Sequence, residues 1–167
     1  MSRRNGELYA DRYRDKVSSQ DNAMVTDLLA RFDAEHRELE QVMAQLREAL
    51  ADDAPDRLHA LKWRFCFLIA RHVSVEDTHA YPALQSDPRP HVAQTLARFT
   101  GKIGALRERI EIWQAAWPAD RVACERELFA TETLTLLDEV DHRIASEERD
   151  LFPLLALTDF LKDARKS

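Results

Sequence analysis

The chain has 167 residues, of which 45% are hydrophobic and 32% charged, the balance of an ordinary soluble domain that can bury a core. Its formal net charge is −6 without a local stripe of basic residues, which argues against a nucleic-acid partner. Because no apolar run approaches the ~18 residues of a membrane span and Met1-Ser2-Arg3-Arg4 precedes no apolar signal segment, we expect a cytoplasmic protein without a membrane partner.

Residues 1–20 are polar, and we expect them to form an N-terminal arm or short helix that lies on the body of the protein. A helical pattern follows, with apolar residues in alternating steps of four and three and His36 in its middle. Its apolar members are Val25, Leu29, Phe32, Leu39, Met43, Leu46 and Leu50. The segment from Ala51 to Pro55 ends this first predicted helix.

The second and third helical patterns are each closed by proline. The second runs from Leu58 to His79 and carries His72 and Glu76 on or beside its apolar face, and Pro82 with the Ser86-Asp87-Pro88-Arg89-Pro90 cluster ends it. The third runs from Val92 to Trp117, again in steps of four and three, and Pro118 follows it. Each stripe is confined to one face, so each helix is predicted to turn one side toward a core.

The fourth helical pattern, from Phe129 to Leu154, is less regular, and Asp159 to Arg165 fits a short final helix. Four helices with short connections pack as an up-down-up-down bundle. We therefore predict an all-α protein with an N-terminal arm at 1–20, a four-helix bundle at 21–158 and a C-terminal tail at 159–167.

Two stretches of the chain share one pattern. The first is His72-Val-Ser-Val-Glu76 followed by Tyr81-Pro82, and the second is His142-Arg-Ile-Ala-Ser-Glu147 followed by Phe152-Pro153. In both, the glutamate stands five residues before the aromatic-proline pair. Histidine and carboxylate are good ligands for iron, manganese or zinc. The repeat therefore predicts a metal site between the second and fourth helices.

The spacing within the two pairs differs. His72 and Glu76 are four residues apart and point within about 40° of each other on a helix. His142 and Glu147 are five apart and diverge by about 140°, so this pair works only if it straddles the site with the glutamate swinging inward. The alternative interpretation of Glu147 is a surface acid, because Glu148 and Asp150 are its neighbours.

Taken together, these residues resemble the hemerythrin-like (HHE cation-binding) domain family over about residues 25–156. The resemblance rests on His36 in Phe32-Asp-Ala-Glu-His-Arg-Glu-Leu39, on both histidine-glutamate steps and on both aromatic-proline pairs. It implies a four-helix bundle that holds a non-haem di-iron centre. His36 and His72 would bind one iron, His142 would bind the other, and Glu76 and Glu147 would bridge the two.

The resemblance also implies a role. Members of the family bind or sense dioxygen or nitric oxide, or act in the response to iron or oxidative stress, so we expect a small diatomic ligand and no enzymatic activity.

One expected ligand is missing from the third helix. The family normally supplies a histidine there, and an internal match between the first and third helices puts Ile103 at the position of His36. His79, one turn beyond Glu76, could substitute, whereas His91 is expected to be exposed at a helix start. The sequence thus predicts a mono-metal or weakened di-metal site for one or two iron ions or another divalent metal.

Two other functions remain open at this point. The missing ligand also fits a bundle that has lost its metal and acts as an interaction or regulatory module. A ferritin-like oxidase would need Glu-x-x-His on two helices, and Glu76-Asp-Thr-His79 supplies one copy. The outer positions Trp63 and Trp117 could form a homodimer face or a surface for a protein partner.

The remaining expectations are structural. Cys66 and Cys124 are not in a CxxC pair and are expected to be reduced core thiols. Gly101 and Gly104 flank Ile103, where mid-helix glycine is costly, and they suggest a close approach of helices or an opening for a small ligand.

Overall fold

The computed structural model of the protein describes the backbone of residues 4–52 and 55–157 and the side chains of 26–52 and 57–157. All regular elements in these ranges are helical. The helices are α1 (Arg4–Ala51), α2 (Pro55–Val75), α3 (Tyr81–Gln85), α4 (Pro90–Ala116), α5 (Ala119–Cys124) and α6 (Arg126–Ser146). Two wider π-helical turns, Glu76–Ala80 and Glu147–Leu151, continue α2 into α3 and α6 into a last helical segment at 152–157.

The four long helices close around one core. Helix α1 packs against α2 and α6, and α4 packs against the same two helices. Because short connections join consecutive helices, neighbours run in opposite directions. The prediction of an all-α four-helix bundle is confirmed. Within residues 4–52 and 55–157, no helix is both long and apolar enough to cross a bilayer.

The N-terminal segment is part of a long helix, and the C-terminal segment lies outside the described residues. Helix α1 begins at Arg4, so the segment predicted as an arm continues into the bundle helix without a break at residue 21. The boundary between arm and bundle therefore stays a prediction. The expected final helix, Asp159 to Arg165, lies outside the described residues. The sequence patterns did not predict α5, whose six residues are too few to show a helical period.

Trp117 is fully buried, so its predicted place on an outer surface is wrong. Helix α4 ends one residue earlier, and the indole turns back against Phe129 at a ring distance of 5.3 Å. Its N–H donates to Glu132 at 2.8 Å, and the Arg121 guanidinium lies 4.2 Å from the ring. Trp63 is 55% exposed, as predicted.

The two cysteines lie in different environments. Cys66 is buried, and burial raises the pKa of its thiol to about 11. Cys124 is exposed, which contradicts its prediction as a core thiol. The reason is its position as the last residue of the short surface helix α5.

Gly101 and Gly104 face outward from α4, and a Cβ at either position would meet no described atom within 4 Å. The expectation that they permit a close approach of helices is therefore wrong for the described residues. Because helix interiors favour alanine over glycine, we expect Gly101→Ala and Gly104→Ala each to raise the free energy of unfolding by about 0.5–1 kcal/mol. Urea denaturation followed by circular dichroism measures this change, and a loss of stability would contradict the open surroundings.

Candidate metal site

Both copies of the sequence pattern fold into a π-helical turn that starts at the glutamate. The N–H of Tyr81 donates to the carbonyl of Glu76, and the N–H of Phe152 donates to that of Glu147, five residues back instead of four. The proline after each aromatic residue lacks an N–H, and its ring crowds the carbonyl four residues back. A wider turn relieves this conflict. Both glutamates at the start of these turns are fully buried.

Three donor atoms from three helical segments converge in the core. The Nε2 atoms of His36 on α1 and of His72 on α2 lie 3.1 and 3.3 Å from the same carboxylate oxygen, Oε2 of Glu147. Donor atoms of the three residues lie within 4.8 Å of one another, and each residue is at most 4% exposed. We call these three residues the His/Glu cluster.

Each histidine of the cluster is oriented from its other ring nitrogen by a second carboxylate. His36 Nδ1 lies 3.0 Å from Glu148 Oε1, and His72 Nδ1 lies 3.2 Å from Glu35 Oε2. Arg31 donates to Glu35 at 3.1 Å and holds it in place. A carboxylate on Nδ1 favours the proton there, so Nε2 is the ring nitrogen that can bind a metal at the shared point of the cluster once it has given up its own proton.

Aromatic rings enclose the cluster on one side. Phe152 stacks on His36 at a ring distance of 5.1 Å and on Phe32 at 5.3 Å. Phe32 meets the His72 ring edge-on at 5.5 Å. These rings restrict the imidazoles and lower the polarity around them, which strengthens charge interactions inside the site.

The second buried glutamate, Glu76, is joined to the cluster by Arg143. The Arg143 Nη2 atom donates to Glu76 Oε1 at 3.0 Å and to the Tyr81 hydroxyl at 2.8 Å, and its Nε forms an ion pair with Glu147. Its Nη1 donates to the carbonyl of Phe99 at 3.2 Å. One guanidinium thus lies between two fully buried carboxylates.

The charges of these groups respond to one another. Burial opposes a charged His72, but hydrogen bonds to Glu147 and Glu35 outweigh it and raise its pKa to about 9. Burial likewise opposes ionisation of Glu147, yet hydrogen bonds from His36 and His72 hold its pKa well below the usual value. For Glu76, burial and the nearby Glu147 charge outweigh Arg143 and raise the pKa to about 7.

The structure does not bring His142 into this group. Its side chain is exposed, and Nδ1 donates to the carbonyl of Asp138 on its own helix at 2.6 Å. The five-residue step to Glu147 turns the two side chains about 140° apart around the helix axis. Three of the five ligands predicted from the sequence, His36, His72 and Glu147, lie in one cluster. Glu76 contacts Arg143, which in turn contacts Glu147.

The other histidines lie away from the cluster. His79, His91 and His59 are all exposed, as expected for His91. His91 is the second residue of α4, and His59 accepts a hydrogen bond from Trp63. Ile103 is buried in the apolar core, so α4 offers an alkyl group at the position of the expected ligand.

Sequence reasoning missed three residues that complete the site. Glu35 directly precedes His36, Glu148 directly follows Glu147, and Arg143 stands four residues before Glu147. The spacing of four between arginine and glutamate is a recognised helical ion-pair spacing and was the available signal for Arg143. The two glutamates gave no comparable signal, because acids beside a ligand are common on exposed helix faces.

The donor chemistry of the cluster fits a divalent transition metal. Two imidazole nitrogens and one carboxylate oxygen are the ligands that non-haem Fe(II), zinc and manganese accept. Donor atoms bound to one ion at about 2.1 Å lie roughly 3–3.4 Å from each other, which the two nitrogen-to-oxygen distances match. The carboxylates on both Nδ1 atoms are the usual outer partners of metal-binding histidines.

Comparison with known families adds independent support. The profile described as Hemerythrin HHE cation binding domain matches residues 27–155. The chain belongs to this family of HHE domains. The match contains all residues of the His/Glu cluster and agrees with the resemblance seen over residues 25–156. Comparisons with curated proteins and with solved structures give no match. Cation binding is therefore the general property that the HHE family and the His/Glu cluster indicate together.

Proposed function

We propose that this HHE domain binds one non-haem iron ion through His36, His72 and Glu147, in the binding or sensing of dioxygen or nitric oxide. The observation that carries the proposal is the convergence of two histidine Nε2 atoms on one carboxylate oxygen, with both Nδ1 atoms held by carboxylates. Two histidines and one carboxylate with open positions are typical of Fe(II) sites that react with oxygen.

One ion is proposed instead of two because Arg143 already supplies a cation beside the cluster. The resemblance implies that Glu76 and Glu147 bridge two irons, but here both carboxylates contact the same guanidinium. His142, which would bind the second iron, is exposed, and Ile103 cannot ligate a metal. These features favour the mono-metal form of the predicted site, with His142 and Glu76 outside the ligand set.

A small diatomic ligand suits the surroundings of the cluster. Its three side chains are at most 4% exposed, and Phe32 and Phe152 cover the imidazoles. Such a site admits a molecule of two atoms more readily than an organic substrate. An iron ion with open positions would supply the affinity for dioxygen or nitric oxide, and the protein groups would exclude water and hold the ligands in place.

Metal analysis tests the proposal directly. Protein loaded anaerobically with ferrous iron, then desalted, is expected to retain about one iron per chain and to change its optical spectrum when nitric oxide is added. Retention of less than about a tenth of an equivalent of iron, zinc or manganese would refute metal binding. Bound iron without a response to nitric oxide or air would refute only the sensing role.

A second candidate function is a metal-free interaction module. The observation that favours it is the set of protein partners that the cluster already has, since Glu147 contacts both histidines and Arg143. Such a module would show the same melting temperature with and without added metal, whereas a ligand that binds the folded state raises it.

A further inference from the structure

A groove with a volume of about 350 Å³ lies between α4 and α6 and is lined in part by Arg143. Its basic lining residues are Arg98, Lys102, Arg109, His142, Arg143 and Arg149. We call it the α4–α6 groove. The chain as a whole carries a net charge of −6, whereas basic residues outnumber acidic ones in this groove. A concave surface lined by one sign of charge concentrates ions of the opposite sign.

The two acidic groups of the groove are engaged at its ends. Arg98 and Arg149 donate to Asp150 at 3.0 and 2.9 Å, and Arg109 forms an ion pair with Glu139. Because α4 and α6 run in opposite directions, the pairs made by Arg98 and Arg109 bridge the helices at opposite ends of the groove. The acids therefore neutralise arginines at the ends and leave Lys102 as an unpaired positive charge in the middle, among the described residues.

The middle of the groove holds two basic side chains, Lys102 and His142, with nitrogen atoms that have no hydrogen-bond partner among the described residues. Lys102 has no hydrogen-bond or ion-pair partner among the described residues. His142 uses Nδ1 for the carbonyl of Asp138, which leaves Nε2 without a partner in the same part of the chain. Arg143 also lines the groove, with its guanidinium already bound to Glu76, Tyr81 and Glu147.

The floor of the groove is apolar. It consists of Phe99, Ala105 and Leu106, and the guanidinium of Arg143 lies 4.7 Å from the Phe99 ring. A ligand that satisfies both parts needs a negative group for the basic middle and a flat apolar body for the floor. A volume of about 350 Å³ lies at the lower end of the range of small-molecule sites.

We propose that the α4–α6 groove binds a small organic anion, an aromatic carboxylate, with its charge at Lys102 and His142 and its ring against Phe99 and Leu106. This site is distinct from the His/Glu cluster, and its binding needs no metal. A failure of the proposed metal site therefore leaves it intact, and the reverse also holds.

Calorimetric titration of the metal-free, desalted protein with benzoate tests the proposal. Lys102→Ala removes the unpaired charge of the groove, and Arg64→Ala removes one exposed positive charge on α2 as the matched control. Loss of a hydrogen bond to a charged group typically lowers the binding affinity about tenfold or more. We expect Lys102→Ala to weaken benzoate binding about tenfold and Arg64→Ala to change it less than about twofold.

Two further probes separate charge from shape. Benzyl alcohol keeps the ring without the charge and is expected to bind at least about tenfold more weakly than benzoate. Inorganic phosphate keeps a charge without the ring and is expected to bind more weakly too. The proposal is overturned if benzoate fails to bind up to about 10 mM, if both alanine variants bind it equally, or if either probe matches it.

Discussion

Replacing His72 with alanine is expected to lower the affinity of the protein for ferrous iron or zinc by at least about a hundredfold. His72 supplies one of the two imidazole donors and links the cluster to Glu35. Without it, His36 and Glu147 remain, and two ligands hold a divalent ion far less well than three. Competition against a chelator of known affinity measures the change, and His36→Ala should give the same result.

Two matched controls make this experiment specific. His59→Ala removes an exposed histidine from the same helix, and His142→Ala removes the histidine that the sequence pattern predicted as a ligand. Both are expected to keep the affinity of the unchanged protein. Loss of metal in His142→Ala with retention in His72→Ala would show that the ligand set drawn from the structure is mistaken.

A milder variant tests how the cluster is oriented. Glu35→Gln keeps the size of the side chain that receives the Nδ1 hydrogen bond of His72 but removes its charge. Changes to such outer partners typically cost 10–100-fold in metal affinity, so we expect an intermediate loss. An unchanged affinity would mean that the His72 ring is fixed by packing against Phe32 alone. Far-ultraviolet circular dichroism confirms that each variant is still helical.

The fold follows from features that one sequence displays. The first three long helices are indicated by apolar residues in steps of four and three, and Pro118 marks the end of the third. The buried histidines His36 and His72 could be picked out because each interrupts an otherwise apolar stripe. The HHE resemblance placed Glu147 with these histidines. The five-residue step from His142 to Glu147 indicated instead that the side chains of His142 and Glu147 point in different directions.

The details of the site depended on local geometry that the stripes do not record. The apolar stripes did not predict the π-helical turns, whose start at Glu76 and Glu147 follows from the hydrogen bonds themselves. His142 and Arg143 are adjacent in sequence, yet only Arg143 faces the core. A prediction from apolar periodicity treats arginine as an exposed residue and accepts histidine more readily as a buried one. It therefore does not identify Arg143, whose guanidinium is stabilised in the core by two buried carboxylates.

Removing Arg143 is the change with the largest expected effect on stability. Arg143→Ala leaves Glu76 and Glu147 buried without the cation that lies between them. Breaking a buried ion pair from one side typically costs 3–5 kcal/mol, and we expect the free energy of unfolding of the metal-free protein to fall by about that amount. Arg109→Ala is the matched control, because it breaks a half-exposed ion pair with Glu139 and should cost less than about 1 kcal/mol.

The loss in Arg143→Ala should depend on pH in a defined direction. The pKa of Glu76 is already raised to about 7 by burial and by Glu147, and without the guanidinium it rises further. A carboxyl with a raised folded-state pKa is stable as the neutral acid, so the variant regains stability as the pH falls and loses it as the pH rises through that pKa. Urea denaturation at pH 5.5 and pH 8 is expected to show the larger loss at pH 8. Equal losses at both values would contradict a charge effect.

Metal should compensate for the missing guanidinium. In Arg143→Ala the carboxylates of Glu76 and Glu147 and the Tyr81 hydroxyl face a space that a divalent ion can enter, so added metal is expected to raise its melting temperature more than that of the unchanged protein. Metal content after desalting should exceed the single equivalent proposed for the unchanged chain. Arg143→Lys keeps one positive charge and is expected to fall between the two, because an ammonium cannot contact both carboxylates in the way that the guanidinium fork does. If Arg143→Ala keeps the metal content and stability of the unchanged protein, Arg143 is not the cation that limits this HHE domain to one metal ion.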